Sequence, residues 1–276
     1  MSSSQTEGKT LRLLSYNIQV GINTGKYSDY VTASWRHILP YHRRLENLHA
    51  MARLLKNYDI VALQEADGGS LRSNFINQVA LLAQYAGFPY WHQQCTRNLG
   101  HLAQHSNGLL SKIAIQKIIN HKLPGIIPGR GAIEAHLGSE HEYIQIIVVH
   151  LALSKRVRKQ QISYLADLVK EQPYVILMGD FNCSYSEMLN QFSSFGANLH
   201  QPHHGDGASY PSWRPKRQYD HILVSPAVKI RQYRTLPNPI SDHLPVELEV
   251  FIPETIINKT SSEDSYHPVR IENRKH

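Results

Sequence analysis

A set of polar residues stands where strongly apolar stretches of this sequence begin or end. Asn17 closes LRLLSYN, Glu65 follows DIVALQ, and His150 ends YIQIIVVH. Asp180 and Asn182 follow YVILMG, Asp220 and His221 open onto ILV, and Asp242 and His243 precede LPVELEV. Taken singly, each has an ordinary reading. Asp or Asn at a strand end usually shapes a turn or caps a helix, and Gly-Asp-Phe-Asn is compatible with a tight turn. A His there is most often a satisfied structural side chain. Recurrence at successive strand ends favours chemistry, because catalytic groups gather on loop ends above a rigid sheet.

The residue types point to phosphate chemistry. Hard divalent cations take oxygen ligands, and magnesium uses one or two carboxylates with substrate phosphate and water. Glu65 is the best carboxylate for this, with Asn17 and Asp242 beside it; manganese is an alternative ion. Zinc fits less well, since the histidines lack close paired spacing. Water attacking phosphorus needs a base. Asp180 is one candidate, and His243 is the other if Asp220 holds its ring. Asn182, two residues after Asp180, is placed to donate to the phosphate, and His150, if protonated, to offset growing negative charge.

These groups need strands to carry them. Leu11–Ile18, Asp59–Gln64, Tyr90–Thr96, Asn107–Ser111, Ile113–His121, Gly131–Leu137, Tyr143–His150, Tyr174–Met178, Tyr219–Val224, Lys229–Arg234 and Leu244–Phe251 read as strands. Arg43–Lys56, Leu71–Tyr85 and Arg156–Lys170 read as helices, and Gln201–Pro215 as a loop. Many short strands with few helices predict two sheets packed face to face with helices outside, an α+β fold. A single domain is expected over residues 11–253, between a disordered N-terminus (1–10) and a disordered polar tail (254–276).

Composition narrows the class. The chain has 276 residues, 41% of them hydrophobic, enough for one substantial core. Two distant cysteines, Cys95 and Cys183, argue against a disulfide scaffold or a cysteine metal site. No segment has the apolar length of a membrane span or a secretory signal, so a cytoplasmic monomer without a transmembrane segment is the expectation. The formal charge is +7, with clusters at Lys155–Lys159 and Arg214–Arg217 that suit phosphate-bearing partners or simply maintain solubility. His101, His105, His203 and His204 match no ligand spacing and read as solvated loop residues.

The ordered set Ser15-Tyr16-Asn17, Leu63-Gln64-Glu65, Val149-His150-Leu151, Gly179-Asp180-Phe181-Asn182, Tyr219-Asp220-His221-Ile222 and Ser241-Asp242-His243-Leu244-Pro245 resembles the endonuclease/exonuclease/phosphatase superfamily of metal-dependent phosphoesterases. The likeness covers about Leu11 to Pro253. It implies a four-layer α/β/β/α sandwich of two packed, mainly antiparallel sheets with the site at one edge. It also implies Asn17 and Glu65 around the metal with Asp242 close by, and Asp180 and Asn182 at the attacking water and phosphate. His150 would lie on the scissile phosphate, and an Asp220–His243 pair would complete the site. Asn107 and Arg130 stand where relatives place phosphate contacts. Tyr210 and Trp213, upstream of Asp220, are candidates for stacking on a base or headgroup.

Three functions follow as expectations. The leading one is a phosphodiesterase on nucleic acid, most simply an endonuclease, suggested by the basic clusters and the aromatic loop. A phosphatase or sphingomyelinase-like enzyme on an inositol phosphate or phospholipid is the second. The Tyr-Asp-His-Ile segment lacks the Trp-Cys-Asp-Arg element of inositol phosphatases, which weakens the inositol branch. A binding scaffold that has lost activity is the third, and it would need a substituted key position, where none is found.

Overall fold

The computed structural model describes residues 8–21, 41–70, 73–98, 104–125, 129–202, 207–257 and 269–274. Two six-stranded sheets form its centre. The first contains β1 (Gly8–Asn17), β2 (Ile60–Asp67), β3 (Tyr90–Asn98), β4 (Gln104–Ser111), β10 (Lys229–Thr235) and β11 (Val246–Pro253), in the order β10-β11-β1-β2-β4-β3. The second contains β5 (Lys117–Lys122), β6 (Gly131–Gly138), β7 (Tyr143–His150), β8 (Val175–Asp180), β9 (Asp220–Val224) and β12 (Arg270–Arg274), in the order β12-β5-β6-β7-β8-β9.

Strand alternation decides which residues go inside. In β1, Leu11 and Leu13 enter the core between the sheets, while Leu14 and Tyr16, with Ile18 just after the strand, face the helices. Both faces are covered, so the central strands read as nearly continuous apolar runs. Helix α1 (Tyr41–Leu55) lays Leu48, Met51, Ala52 and Leu55 on the first sheet, beside α2 (Gln78–Ala86). Helix α3 (Lys155–Val169) lays Ile162, Leu165, Ala166 and Val169 on the second, beside α4 (Tyr185–Ser194) with Met188 and Phe192. The result is the α/β/β/α sandwich.

Most neighbouring strands are antiparallel, with parallel pairs β1–β2, β7–β8 and β5–β12. The first two are crossovers spanned by α1 and α3, as parallel neighbours require. Their consequence is functional: β1, β2, β7 and β8 all end at the same edge of the sandwich. The antiparallel β9 begins there, so the polar residues at these ends converge.

Some elements differ from expectation. The helix expected over Leu71–Tyr85 begins only at Gln78, with Asn77 as N-cap. Ahead of it, the Asp67 carboxylate accepts from Gly69 N, Ser70 N, Ser70 Oγ and Ser73 Oγ and holds a turn instead. The strand expected from Ile113 begins at Lys117. Helix α4 was not anticipated; Ser184 caps it, accepting from Glu187 N. The termini are more regular than their composition suggests. Gly8–Thr10 belong to β1, Glu254–Ile257 form the short helix α5, and Arg270–Arg274 pair with β5 through Lys117–Glu272 and Asn120–Asn273 contacts. Residues 1–7, 258–268 and 275–276 lie outside the described residues. Among the described residues no helix is long and apolar enough to cross a membrane.

Candidate active site

Register places three of the polar residues in one row. His150 pairs with Asp180 across β7–β8, and Asp180 pairs with Asp220 across β8–β9. All three fall on the inner face, in parity with Val148, Met178 and Ile222 of the inter-sheet core. From the other sheet Asn17, in parity with Leu11 and Leu13, reaches across and donates Nδ2 to Asp180 Oδ2 at 3.2 Å. Like charges directly opposite in a sheet destabilise it, so the Asp180–Asp220 pairing is poor for folding alone.

Two backbone irregularities aim the remaining groups. Pairing of β2 with β4 shifts register between Leu63 and Ala66, and Glu65 within that bulge has φ +56°. A bulge of this kind redirects one side chain out of the alternation. Glu65 Oε1 lies 3.9 Å from His150 Nε2, and 31% of the side chain stays exposed, open to an incoming ion. On β8, Gly179 has φ +152°, and a Cβ there would sit 2.0 Å from Val149 O. Only glycine lets β8 approach β7 closely enough to bring Asp180 beside His150. Asn182, at φ +52°, turns its N–H onto Asp180 Oδ1 at 2.9 Å while its Nδ2 donates to Leu151 O at 3.0 Å.

Asp220 holds His243. Its Oδ2 accepts from His243 Nδ1 at 2.7 Å and from Ser209 Oγ at 2.6 Å, and Oδ1 has no partner among the described residues. With Nδ1 engaged, His243 directs Nε2 toward Asp180 Oδ2, 3.9 Å away. The Tyr210 ring backs His243 at 4.8 Å and stacks on Tyr219 at 5.7 Å. Asp242 is buried beside them, with Ser241 Oγ 3.3 Å from Oδ1.

Crowding shapes the electrostatics. Burial first, then Asp220 and Glu65, push the Asp180 pKa up to about 7, against the opposing pull of His243 and Asn182 N–H. Burial, with help from Glu65 and Asp220, pushes Asp242 up to about 6. Burial disfavours charge on His243, but Asp220, Asp180 and Asp242 together hold its pKa well above the usual histidine value. His150 goes the other way: burial, then Arg130, His243 and His105, push it well below. Each of these disfavours the protonated form, the condition on which its part in offsetting phosphoryl charge depends.

Four carboxylates around one point are an excess of negative charge that a divalent cation would relieve. Glu65, Asn17 and Asp242 offer the oxygen donors such an ion prefers. Asn17 Oδ1 accepts from Gln19 N at 3.2 Å and keeps a second lone pair. Asp180, Asp220 and His243 also have ligand atoms within 4.8 Å of one another. Two hydrogen bonds occupy Asp220 Oδ2, which suits it to position His243, while Oδ1 remains without a partner among the described residues.

Of the candidate substrate contacts, Asn107 is buried and donates Nδ2 to Gly131 O at 3.0 Å, tying β4 to the start of β6 next to Arg130. Arg130 lines a cleft of about 710 Å³ that also contains Glu65 and His150. Trp213, half-buried, lies on the loop before β9 with Tyr210. Arg158 of the Lys155–Lys159 cluster is internal: it bonds Ala152 O, Leu153 O and Glu187 and fixes the loop after His150. Sequence reading missed Ser209 and His105. His105, a solvated loop residue by sequence, lines the cleft. Its place on β4, two residues before Asn107, is the signal that would have found it. His221 faces the opposite side, bonded to Cys183 O and Gln201. His101, His203 and His204 lie outside the described residues.

A buried carboxylate–histidine row beside oxygen donors suited to a divalent cation has the composition of a metal-assisted phosphoester hydrolase site. The family model for the Endonuclease/Exonuclease/phosphatase family matches residues 14–243, and the chain belongs to that family. Its members are hydrolases of phosphoester bonds that generally work with a divalent metal. Comparison with curated protein sequences gave no match. Among solved structures, an endonuclease/exonuclease/phosphatase from Beutenbergia cavernae DSM 12333 is similar at TM-score 0.68 and 16% identity, over 87% of this chain and 71% of that one. The mannosyl-6-phosphatase Bt3783 of Bacteroides thetaiotaomicron VPI-5482 is similar at TM-score 0.62 and 18% identity, over 87% and 99%. D. rerio TDP2 complexed with a single-strand DNA product is similar at TM-score 0.59 and 16% identity, over 87% and 98%.

Proposed function

We propose that this protein is a magnesium-dependent phosphodiesterase that cleaves nucleic acid as an endonuclease does, by attack of water on phosphorus. The observation that carries the reading is the His150–Asp180–Asp220 row with His243 held on Asp220. Asp180, with a pKa of about 7, is matched to take the proton of the attacking water near neutral pH. Asn182 N–H and Asn17 Nδ2 orient its two oxygens. His243, kept protonated by Asp220, donates through Nε2 to a phosphoryl oxygen. Neutral His150 donates a hydrogen bond to the same group. Glu65, Asn17 and Asp242 would hold magnesium, with manganese an alternative; the ion, when bound, supplies Lewis-acid stabilisation of the phosphoryl and departing oxygens.

Nucleic acid is favoured by what flanks the centre. The cleft beyond Glu65 and His150 carries Arg97 and Arg130, and a second hollow of about 490 Å³ beyond Asn182 carries Lys155, Lys216 and Arg217. A polyanion crossing the centre would meet cations on both sides. The similar TDP2 structure contains single-strand DNA product. The similar mannosyl-6-phosphatase supports a second reading, a phosphatase on a small monoester.

A screen over single-stranded, duplex and abasic DNA, RNA, sphingomyelin and inositol and sugar phosphates separates the two, with Glu65→Ala as blank. Internal cleavage of a nucleic acid that falls steeply with salt is expected. Phosphate release from monoesters with no diester cleavage would overturn the reading.

A further inference from the structure

The cleft that opens from Glu65 and His150 is larger than one phosphate needs. At about 710 Å³ it falls in the range of roughly 300–1,000 Å³ that holds whole small molecules. Its walls differ in character. Ala152, Leu153 and Val157 form an apolar side, where Leu153 is 75% exposed. Arg97 and Arg130 form the other, and among the described residues neither is ion-paired with a carboxylate.

Arg97 is placed there by a specific packing feature. Gly129 approaches its side chain so closely that a Cβ would stand 3.3 Å from both Cβ and Cδ of Arg97. The same glycine has φ +125°, a conformation that other residues resist. The stem of Arg97 thus lies across Gly129, next to Arg130; burial first, and Arg97 after it, lower the Arg130 pKa. Two like charges side by side, Arg97 exposed and Arg130 half-buried, facing an apolar wall offer a seat for an anion. Asp180 and Glu65 oppose the pKa lowering, so Arg130 lies within electrostatic reach of the reacting centre. Arg97 belongs to β3, the edge strand of the first sheet.

We infer that Arg97 is a specificity-determining residue, holding a second anionic group of the substrate beyond the scissile phosphate while a flat ring lies against Leu153 and Val157. The ligand class is a nucleotide bearing a phosphate on each side of its sugar, as one unit within a strand does. The inference rests on the reading that the scissile phosphate sits between Glu65 and His150.

The test is calorimetric binding, with magnesium present, of thymidine 3′,5′-bisphosphate against thymidine 3′-phosphate and thymidine 5′-phosphate. Wild-type protein should prefer the bisphosphate to either monophosphate by about tenfold, the worth of one charge-assisted hydrogen bond. In Arg97→Ala that ratio should fall to about one, and Arg97→Lys should recover part of it. No preference in the wild-type protein, no binding of any probe, or a preference intact in Arg97→Ala would overturn the inference. Strand cleavage without the preference would leave the nuclease reading standing and remove the subsite. The preference without strand cleavage would keep the subsite and move the substrate to a small bisphosphorylated molecule.

Discussion

Replacing His221 by Gln should remove a definite part of the pH dependence of folding stability. His221 is fully buried behind β9, edge-on to Phe181 at 5.5 Å. Its hydrogen bonds fix its protonation. The Cys183 carbonyl, 3.0 Å from Nε2, can only accept, so Nε2 carries a proton. Gln201 Oε1 accepts from Ile222 N, which turns the amide nitrogen onto Nδ1 at 3.2 Å, so Nδ1 must accept. A second proton would oppose that N–H, and burial outweighs the help it would have from the Gln218 backbone carbonyl and Asp220. Burial, chiefly, lowers the pKa from the ordinary 6.5 to about 4. Between those values the unfolded chain binds a proton and the folded one does not, so stability declines as pH falls through the window. At 1.36 kcal/mol per unit the full loss is about 3 kcal/mol. Glutamine can still donate to Cys183 O and accept from Gln201, but it does not titrate. Urea unfolding of both proteins between pH ~7.5 and pH ~4 should therefore give a difference that shrinks in acid by about 3 kcal/mol, while the active-site titrations cancel. A constant difference would refute the argument, as would an imidazole resonance titrating near the ordinary value.

Further outcomes follow from the same geometry. Asp220→Asn should lower kcat by about 10²–10⁴ with little change in KM and abolish the limb of the pH–rate profile that reports His243; an unaltered kcat would remove this pair from the reaction. Gly179→Ala, whose methyl would meet Val149 O, should cost about 3 kcal/mol in a urea melt, and a neutral result would mean β7 and β8 part without strain. Stripping divalent cations with chelator should abolish hydrolysis and lower the melting temperature, and returning magnesium should restore both in wild type but not in Glu65→Ala; equal stabilisation of the variant would move the ion elsewhere. Glu134→Ala should destabilise by about 3 kcal/mol at neutral pH. Hydrogen bonds from His121, His136 and Gln145 outweigh burial and depress the Glu134 pKa, so its contribution is present above the ordinary carboxylate value and fades as pH falls below it. A Glu134→Ala penalty that persisted undiminished in acid would contradict that sign.

The layers were legible because the strands carry their own evidence. Runs such as YIQIIVVH are apolar on both faces, which only a strand covered twice requires, and Asn17, His150 and Asp180 end theirs with inward parity. What the sequence could not display is whatever depends on non-local geometry. The bulge that frees Glu65 is a property of β2 paired with β4, not of the Gln-Glu dipeptide. Ser209, eleven residues before Asp220, meets it only because its loop folds back onto β9. Strand β12 pairs with β5 across about 150 residues, and its polar composition gives no apolar periodicity to read. Helix α4 has only two fully buried side chains, Met188 and Phe192, too few to declare a period.

Two buried carboxylate–histidine groups in this molecule show how a structural cluster differs from a reactive one. Glu134 accepts three hydrogen bonds on its two oxygens, from His121 and His136 at 2.6 Å and Gln145 at 2.8 Å, and it is the only carboxylate among those contacts. Its charge is satisfied, so burial is compatible with a stable fold. At the other site, register forces Asp180 and Asp220 opposite each other, Asp220 Oδ1 has no partner, and the Asp180 pKa rises to about 7. Nothing within the described chain neutralises that surplus completely. A fold selected for stability alone would replace one of the pair with an apolar neighbour of Met178 or Ile222, gaining on the order of 2 kcal/mol from burial and losing the repulsion as well. Retention of both carboxylates, at the one sheet edge where four strand ends meet, is therefore best explained by what enters from outside: a cation and a phosphate whose charges complete the set.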